Sequence, residues 1–158
     1  MSSVLNMITL RSGRGGDLPL VDTIMQEAFD PRFGEAWSSS QCAGVLAMPG
    51  VWLTIAELDG APAGFAMVRA ILDEAELLLL AVRPAARRRG VAKALLRSVF
   101  AEACARGVAS VHLEVRAGND AVALYRLAGF EKIGERRDYY RGRNGKLFDA
   151  QTFRLSLV

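Results

Sequence analysis

The stretch from Ala75 to Gly107 constrains the fold more than any other part of the chain. Ala75–Val82 is apolar on both faces, as a strand in the middle of a sheet must be, and Pro84 ends it. Arg87, Arg88 and Arg89 then make a basic turn. From Gly90 to Arg106 the spacing is helical: Val91, Leu95 and Val99 fall on one stripe, Arg106 lies in the last turn, and Gly107 is the stop. A buried strand that feeds through a turn into an amphipathic helix predicts an α/β domain. The same stretch argues against a membrane span, because Leu77–Val82, the longest strongly apolar run, is far short of the roughly 20 residues a spanning helix needs.

The flanking segments follow the same logic. Val4–Arg11 reads as a strand and Ser12–Gly16 as a loop. Asp17 is expected to cap a helix whose Leu18, Val21, Ile24, Met25 and Ala28 follow helical spacing up to Asp30-Pro31. Ser38 followed by Gln41 predicts a capping box on a short second helix that stops at Pro49-Gly50. Val51–Leu58 and Ala63–Ile71 around Asp59-Gly60 predict a hairpin. In Ala109–Arg116, Val111, Leu113 and Val115 alternate with His112, Glu114 and Arg116, so one face is core and the other polar. Asn119 is expected to cap a helix carrying Ala121, Leu124, Tyr125 and Ala128, and two strands, Phe130–Tyr140 and Phe148–Val158, meet through Asn144-Gly145. The order is βααβββαβαββ: a mixed, mostly antiparallel twisted sheet flanked by helices.

With 158 residues, 51% of them hydrophobic, the chain suits one domain spanning residues 1–158. Cys42 and Cys104 stand far apart and are expected to be small core residues. One histidine, His112, is too few for a multi-histidine metal site, so no metal is expected. No secretory signal is visible at the N-terminus, and the expected address is the cytoplasm.

Charge carries more information. Of the 20 basic residues 17 are Arg, and Arg83, Arg87, Arg88, Arg89, Lys93 and Arg97 share one short window while Arg136, Arg137, Arg141, Arg143 and Lys146 share another. The start of a helix carries a partial positive charge, so three arginines there are unfavourable unless an anion is bound. Gly90 and the small Ala92 let the backbone come close to such a ligand. A phosphate site and a solvated basic face both fit this window. Gly142–Lys146 and Gly13–Gly16 lack the spacing of known phosphate loops and read as turns.

Arg87-Arg88-Arg89-Gly90-Val91-Ala92 resembles the Q/R-x-x-G-x-G/A acetyl-CoA motif of the GNAT superfamily of N-acetyltransferases. Leu113-Glu114-Val115-Arg116-Ala117, Asn119, Ala123-Leu124-Tyr125 and Ala128-Gly129-Phe130 follow in that family's order, and Arg136–Tyr140 is similar to its RimI branch. Arg87 stands where that branch commonly has Gln, and Asn119 lies six residues before Tyr125, one fewer than the pattern.

The resemblance implies acetyl-CoA as co-substrate and, as acceptor, a protein N-terminus such as the N-terminal alanine of a small-subunit ribosomal protein. By the same resemblance the backbone of Leu80, Ala81 and Val82 holds the acetyl and pantetheine arm. Arg88, Arg89, Gly90, Val91, Ala92 and Lys93 take the pyrophosphate, Asn119 binds the cofactor arm, Glu114 is general base and Tyr125 general acid. Phe33, Trp37, Tyr139 and Tyr140 are candidates for the walls of an acceptor slot.

Elementary chemistry agrees with these roles, since an amine attacks a thioester only after losing a proton, and an α-amine with a pKa of about 7.7 to 8.0 needs only one carboxylate base. A GNAT enzyme acting on a small amine or a lysine side chain shares all these features. So does a non-catalytic acyl-CoA-binding regulator. An RNA-binding role is disfavoured because no aromatics interleave the basic runs in a recognisable pattern, and no specific nucleic-acid partner is expected.

Overall fold

Alternation and helical spacing are realised as eleven elements in a computed structural model that describes residues 7–158. They are β1 (Ile8–Gly13), α1 (Leu18–Ala28), α2 (Ser39–Leu46), β2 (Val51–Leu58), β3 (Ala61–Ile71), β4 (Glu74–Val82), α3 (Val91–Ala105), β5 (Ser110–Arg116), α4 (Ala121–Leu127), β6 (Glu131–Arg141) and β7 (Leu147–Ser156). The order is the one the periodicity predicts. One seven-stranded sheet runs β1-β2-β3-β4-β5-β7-β6, with β4 in the middle. All its neighbours pair antiparallel except β4 and β5, which are parallel and joined through α3.

Two apolar layers cover the sheet. On one face α3 supplies Val91, Leu95, Leu96, Val99 and Ala103 to a cluster that includes Val111, Leu113, Val115, Tyr125 and Phe153. On the other, Val21, Ile24 and Met25 of α1 and Cys42 of α2 meet Leu53, Ile55, Phe65 and Met67. Full burial of one such side chain stabilises by about 1.5–3 kcal/mol. The capping box of α2 is present as read, Ser38 Oγ accepting from the Gln41 N–H and Gln41 Oε1 from the Ser38 N–H.

Three local expectations are corrected. Ser12 and Gly13 belong to β1 rather than a loop, paired with Thr54 and Leu53, and Gly13 is required there because a Cβ would strike the Leu53 side chain. The first part of the expected strand, residues 4–6, lies outside the described residues. Asp17 does not cap α1 with its side chain. A 3₁₀ turn at Gly15–Asp17 comes first, and the carboxylate accepts from the Arg14 N–H and pairs with Arg11, which hold its pKa below the usual range. Cys104 is exposed, because the buried stripe of α3 passes through Ala103 and leaves the next position turned outward.

One irregularity positions the site. Met67 pairs with Leu79 and Val68 with Leu77, so Leu78 is an extra residue in β4. The bulge switches faces: Leu77 joins the α3 layer, whereas Leu79 and Ala81 join the α1–α2 layer. Pairing between β4 and β5 is confined to Glu74–Glu76 against Ser110–His112. From Leu77 and Leu113 onward the strands part, and the centre of the sheet opens into a cleft.

Candidate active site

The cleft has a donor side made of backbone and arginine. Beyond Glu76 the edge of β4 that faces β5 has no strand rungs; main-chain groups alternate along a strand, and since those of Ala81, like Arg83, turn toward β3, it is Leu80 and Val82 whose N–H and C=O groups are left to that edge. A 3₁₀ turn at Pro84–Ala86 leads out of β4, Arg88 adopts a left-handed backbone at φ 63°, and Gly90, at φ 85°, is the N-cap of α3. The first helical bond in α3 is from the Ala94 N–H to the Gly90 carbonyl, so the N–H groups of Val91, Ala92 and Lys93 point out of the turn.

The basic window divides by role. Arg83 makes a two-bond pair with Glu27 at 2.7 and 2.9 Å, and Arg87 donates to the Ala28 carbonyl at 3.0 Å, so these two tie the end of α1 to the turn. Among the described residues no carboxylate pairs with Arg88, Arg89, Lys93 or Arg97. Free backbone donors and unpaired cations at one helix start are a cradle of the right chemistry for a pyrophosphate.

The acceptor side is assembled from distant segments. Glu114 lies on the polar face of β5, where Arg136 Nε donates to Oε1 at 2.8 Å and Thr152 Oγ1 to Oε2 at 2.7 Å. Its partner is thus a strand across the sheet, not the flanking His112 or Arg116. His112 instead faces Glu76 at 3.9 Å. Tyr140 donates its hydroxyl to the Glu114 carbonyl at 3.4 Å, and its ring meets Tyr139 edge-on at 4.9 Å. Tyr125 is buried, edge-on to Phe130 at 5.8 Å. Burial raises the pKa of both Tyr125 and Tyr140 far above the ordinary tyrosine value, and the negative charge of Glu35 raises both further.

Phe33 and Trp37 part company. Phe33 stacks edge-on with Phe148 at 5.2 Å and carries the Arg116 guanidinium 3.6 Å from its ring centre, close to the site. Trp37 packs against the α1–α2 layer. The loop that holds them, residues 29–38, is zipped to the β6–β7 turn: the Arg143 N–H donates to the Pro31 carbonyl at 3.1 Å. Gly34 and Gly142 are the close approaches, where a Cβ would overlap the carbonyl oxygens of Arg141 and Arg32.

The acetyltransferase (GNAT) family model matches residues 18–130, which takes in α1 through α4 and the whole of the cleft's donor side. The chain belongs to the GNAT acetyltransferase family. GNAT acetyltransferases use acetyl-CoA, and the donor side described above fits it. The chain is 44% identical over 89 residues to the [ribosomal protein bS18]-alanine N-acetyltransferase of Escherichia coli K12, a match covering 56% of this chain and 60% of that one. It is 48% identical over 69 residues to the N-alpha-acetyltransferase RimI of Mycobacterium tuberculosis H37Rv, covering 43% of this chain and 42% of that one. The crystal structure of the E. coli ribosomal-protein-S18-alanine N-acetyltransferase superposes with a TM-score of 0.84 at 36% identity, over 96% of this chain and 94% of that one. The sequence matches span about 60% or less of the curated relatives' length.

Within this GNAT fold, sequence reasoning missed Glu35. Its Oε1 accepts from Arg116 Nε at 3.0 Å and its Oε2 from Asn119 Nδ2 at 2.7 Å, while Asn119 Oδ1 accepts from the Ala121 N–H at 2.8 Å. A glutamate between two aromatics, Phe33-Gly34-Glu35-Ala36-Trp37, was the available signal. No helix among the described residues is long and apolar enough to cross a membrane.

Proposed function

We infer that the protein transfers an acetyl group from acetyl-CoA to the α-amine of a protein N-terminus, the N-terminal alanine of a small-subunit ribosomal protein being the acceptor its relatives favour. The observation that carries this reading is Glu114: a carboxylate on the polar face of β5, held by Arg136 and Thr152, inside the residues 18–130 that the acetyltransferase family model matches. The reading keeps the cytoplasmic address expected from the sequence.

Acetyl-CoA, when bound, supplies an activated thioester carbonyl. Along Leu80, Ala81 and Val82 the free main-chain groups of Leu80 and Val82 orient the acetyl and pantetheine arm. Arg88, Arg89 and the N–H groups of Gly90, Val91, Ala92 and Lys93 neutralise and cradle the pyrophosphate. Asn119 keeps one amide hydrogen free of the Glu35 contact for the arm.

Glu114 accepts the amine proton, directly or through a water. Its own side chain is only 11% exposed while the Arg136 partner is 62% exposed, so the countercharge reaches it from the solvent side. Tyr125 is protonated at rest and passes its proton to the departing sulfur; because burial disfavours the phenolate, that transfer is matched by prompt reprotonation of Tyr125 from solvent. Phe33, Tyr139 and Tyr140 flank the amine, with Trp37 supporting the loop.

The test is turnover of an N-terminal alanine peptide at saturating acetyl-CoA. Glu114→Gln combined with Tyr125→Phe is expected to lower kcat by about 10²-fold or more, with KM for acetyl-CoA little changed. Unchanged turnover contradicts the roles.

A further inference from the structure

Glu35 is a carboxylate only 10% exposed, paired with an Arg116 side chain only 12% exposed, and it lies 84 residues from the asparagine it contacts. A pair this dry does not persist for surface solubility. Removing either partner leaves an uncompensated buried charge. The network has a direction. Glu35 Oε2 fixes Asn119, and Asn119 Oδ1 caps the Ala121 N–H at the first turn of α4.

That turn needs a cap from outside. α4 has seven residues, too few to be stable alone, and its N-cap Asp120 makes no side-chain capping bond. One turn on, α4 carries Tyr125. The Arg116 guanidinium carbon sits over the Phe33 ring, 3.6 Å from its centre, so the anchor is held from the loop side as well.

Building on the acetyl-transfer reading above, we propose that Glu35 is a positioning residue for Tyr125: through Asn119 it sets where helix α4 begins and hence where the Tyr125 hydroxyl stands in the cleft.

A double-mutant cycle in the full-length protein decides this, with kcat and both KM values measured on acetyl-CoA and an N-terminal alanine peptide. With Tyr125 present, Glu35→Gln and Asn119→Ala are each expected to lower kcat about tenfold, with KM for the peptide changed less than about threefold. In the Tyr125→Phe protein the same substitutions are expected to change kcat by less than about twofold, because what they position is gone. A merely structural role lowers kcat equally in both backgrounds, and that result overturns the proposal while leaving the acetyl-transfer reading intact.

No loss in either background overturns it too. If Tyr125→Phe itself turns over like the parent, Tyr125 is not the proton donor, and both the proposal and that role fall. Should Glu35→Gln not fold, because Arg116 is left unpaired, Asn119→Ala carries the test through kcat at saturating acetyl-CoA, since it cuts the link to α4 while the Glu35–Arg116 pair remains and its lost contact with the cofactor arm reads out separately as a higher KM for acetyl-CoA.

Discussion

The two sides of the cleft are built in different ways. The donor side is one continuous run from β4 through the arginine turn into α3, and its ligands are mostly backbone groups that any sequence with this turn would present. The acceptor side is made of side chains from β5, β6, β7, α4 and the loop after α1, joined by contacts such as Glu35 to Asn119 and Glu114 to Thr152 that lie 84 and 38 residues apart. A continuous run gives a binding surface that tolerates substitution, whereas a side assembled from afar is sensitive to the packing of every contributor. The two sides are accordingly expected to fail differently.

The largest effect is expected at the acceptor side. Glu114→Gln alone is predicted to reduce kcat by about 10²-fold while KM for acetyl-CoA stays within about twofold, measured by thiol release under steady state. Next comes the seam between the loops. Gly34→Ala forces a Cβ onto the Arg141 carbonyl at a left-handed φ of 69°, so it is expected to raise KM for the acceptor peptide by about tenfold or more and to leave acetyl-CoA affinity unchanged by calorimetry. If that substitution weakens acetyl-CoA binding as much as peptide binding, the two sides are not separable.

Arg88→Ala with Arg89→Ala is expected to do the reverse: about a tenfold higher KM for acetyl-CoA at low salt, a smaller effect at high salt, and an unchanged kcat. The smallest effect belongs to a site remote from both. Ser38→Ala removes the α2 cap and is expected to lower the melting temperature by roughly 2–4 °C, about 1 kcal/mol, with activity unaltered.

A pH experiment sharpens the contrast. The folded-state pKa values of Tyr125 and Tyr140 are raised above the ordinary value of 10.0, so the unfolded chain loses these protons first. Their contribution to stability is full below about pH 10 and is lost as pH rises beyond it. Urea unfolding midpoints are expected to fall above that pH, and less steeply once both residues are Phe.

The same division explains what could be read from the sequence. Element order, the hairpin at Asp59-Gly60, the α2 capping box and the α3 stripe are local patterns, and they appear as read. The cluster of arginines before α3 was legible, but not that Arg83 and Arg87 serve α1. That depends on Glu27 and Ala28, which reach the turn only in the folded chain. The place of Glu114 on the polar face of β5 was legible from the alternation. Its countercharge was not, because Arg136 arrives from a strand that pairs across β7. Glu35 escaped for the same reason: its meaning lies in Arg116 and Asn119, and no spacing rule connects a loop after the first helix to the start of the fourth. Cys104 shows the converse, a residue type that suggests the interior placed one step off the buried stripe.

The most direct test of the central claim locates the acetyl group by mass spectrometry after reaction with acetyl-CoA and two peptides, one with a free N-terminal alanine and one N-blocked with an internal lysine. The account predicts thiol release and acetylation of the α-amine of the first peptide alone. Acetylation of the lysine peptide at an equal rate, or binding of acetyl-CoA with neither peptide modified, would contradict it.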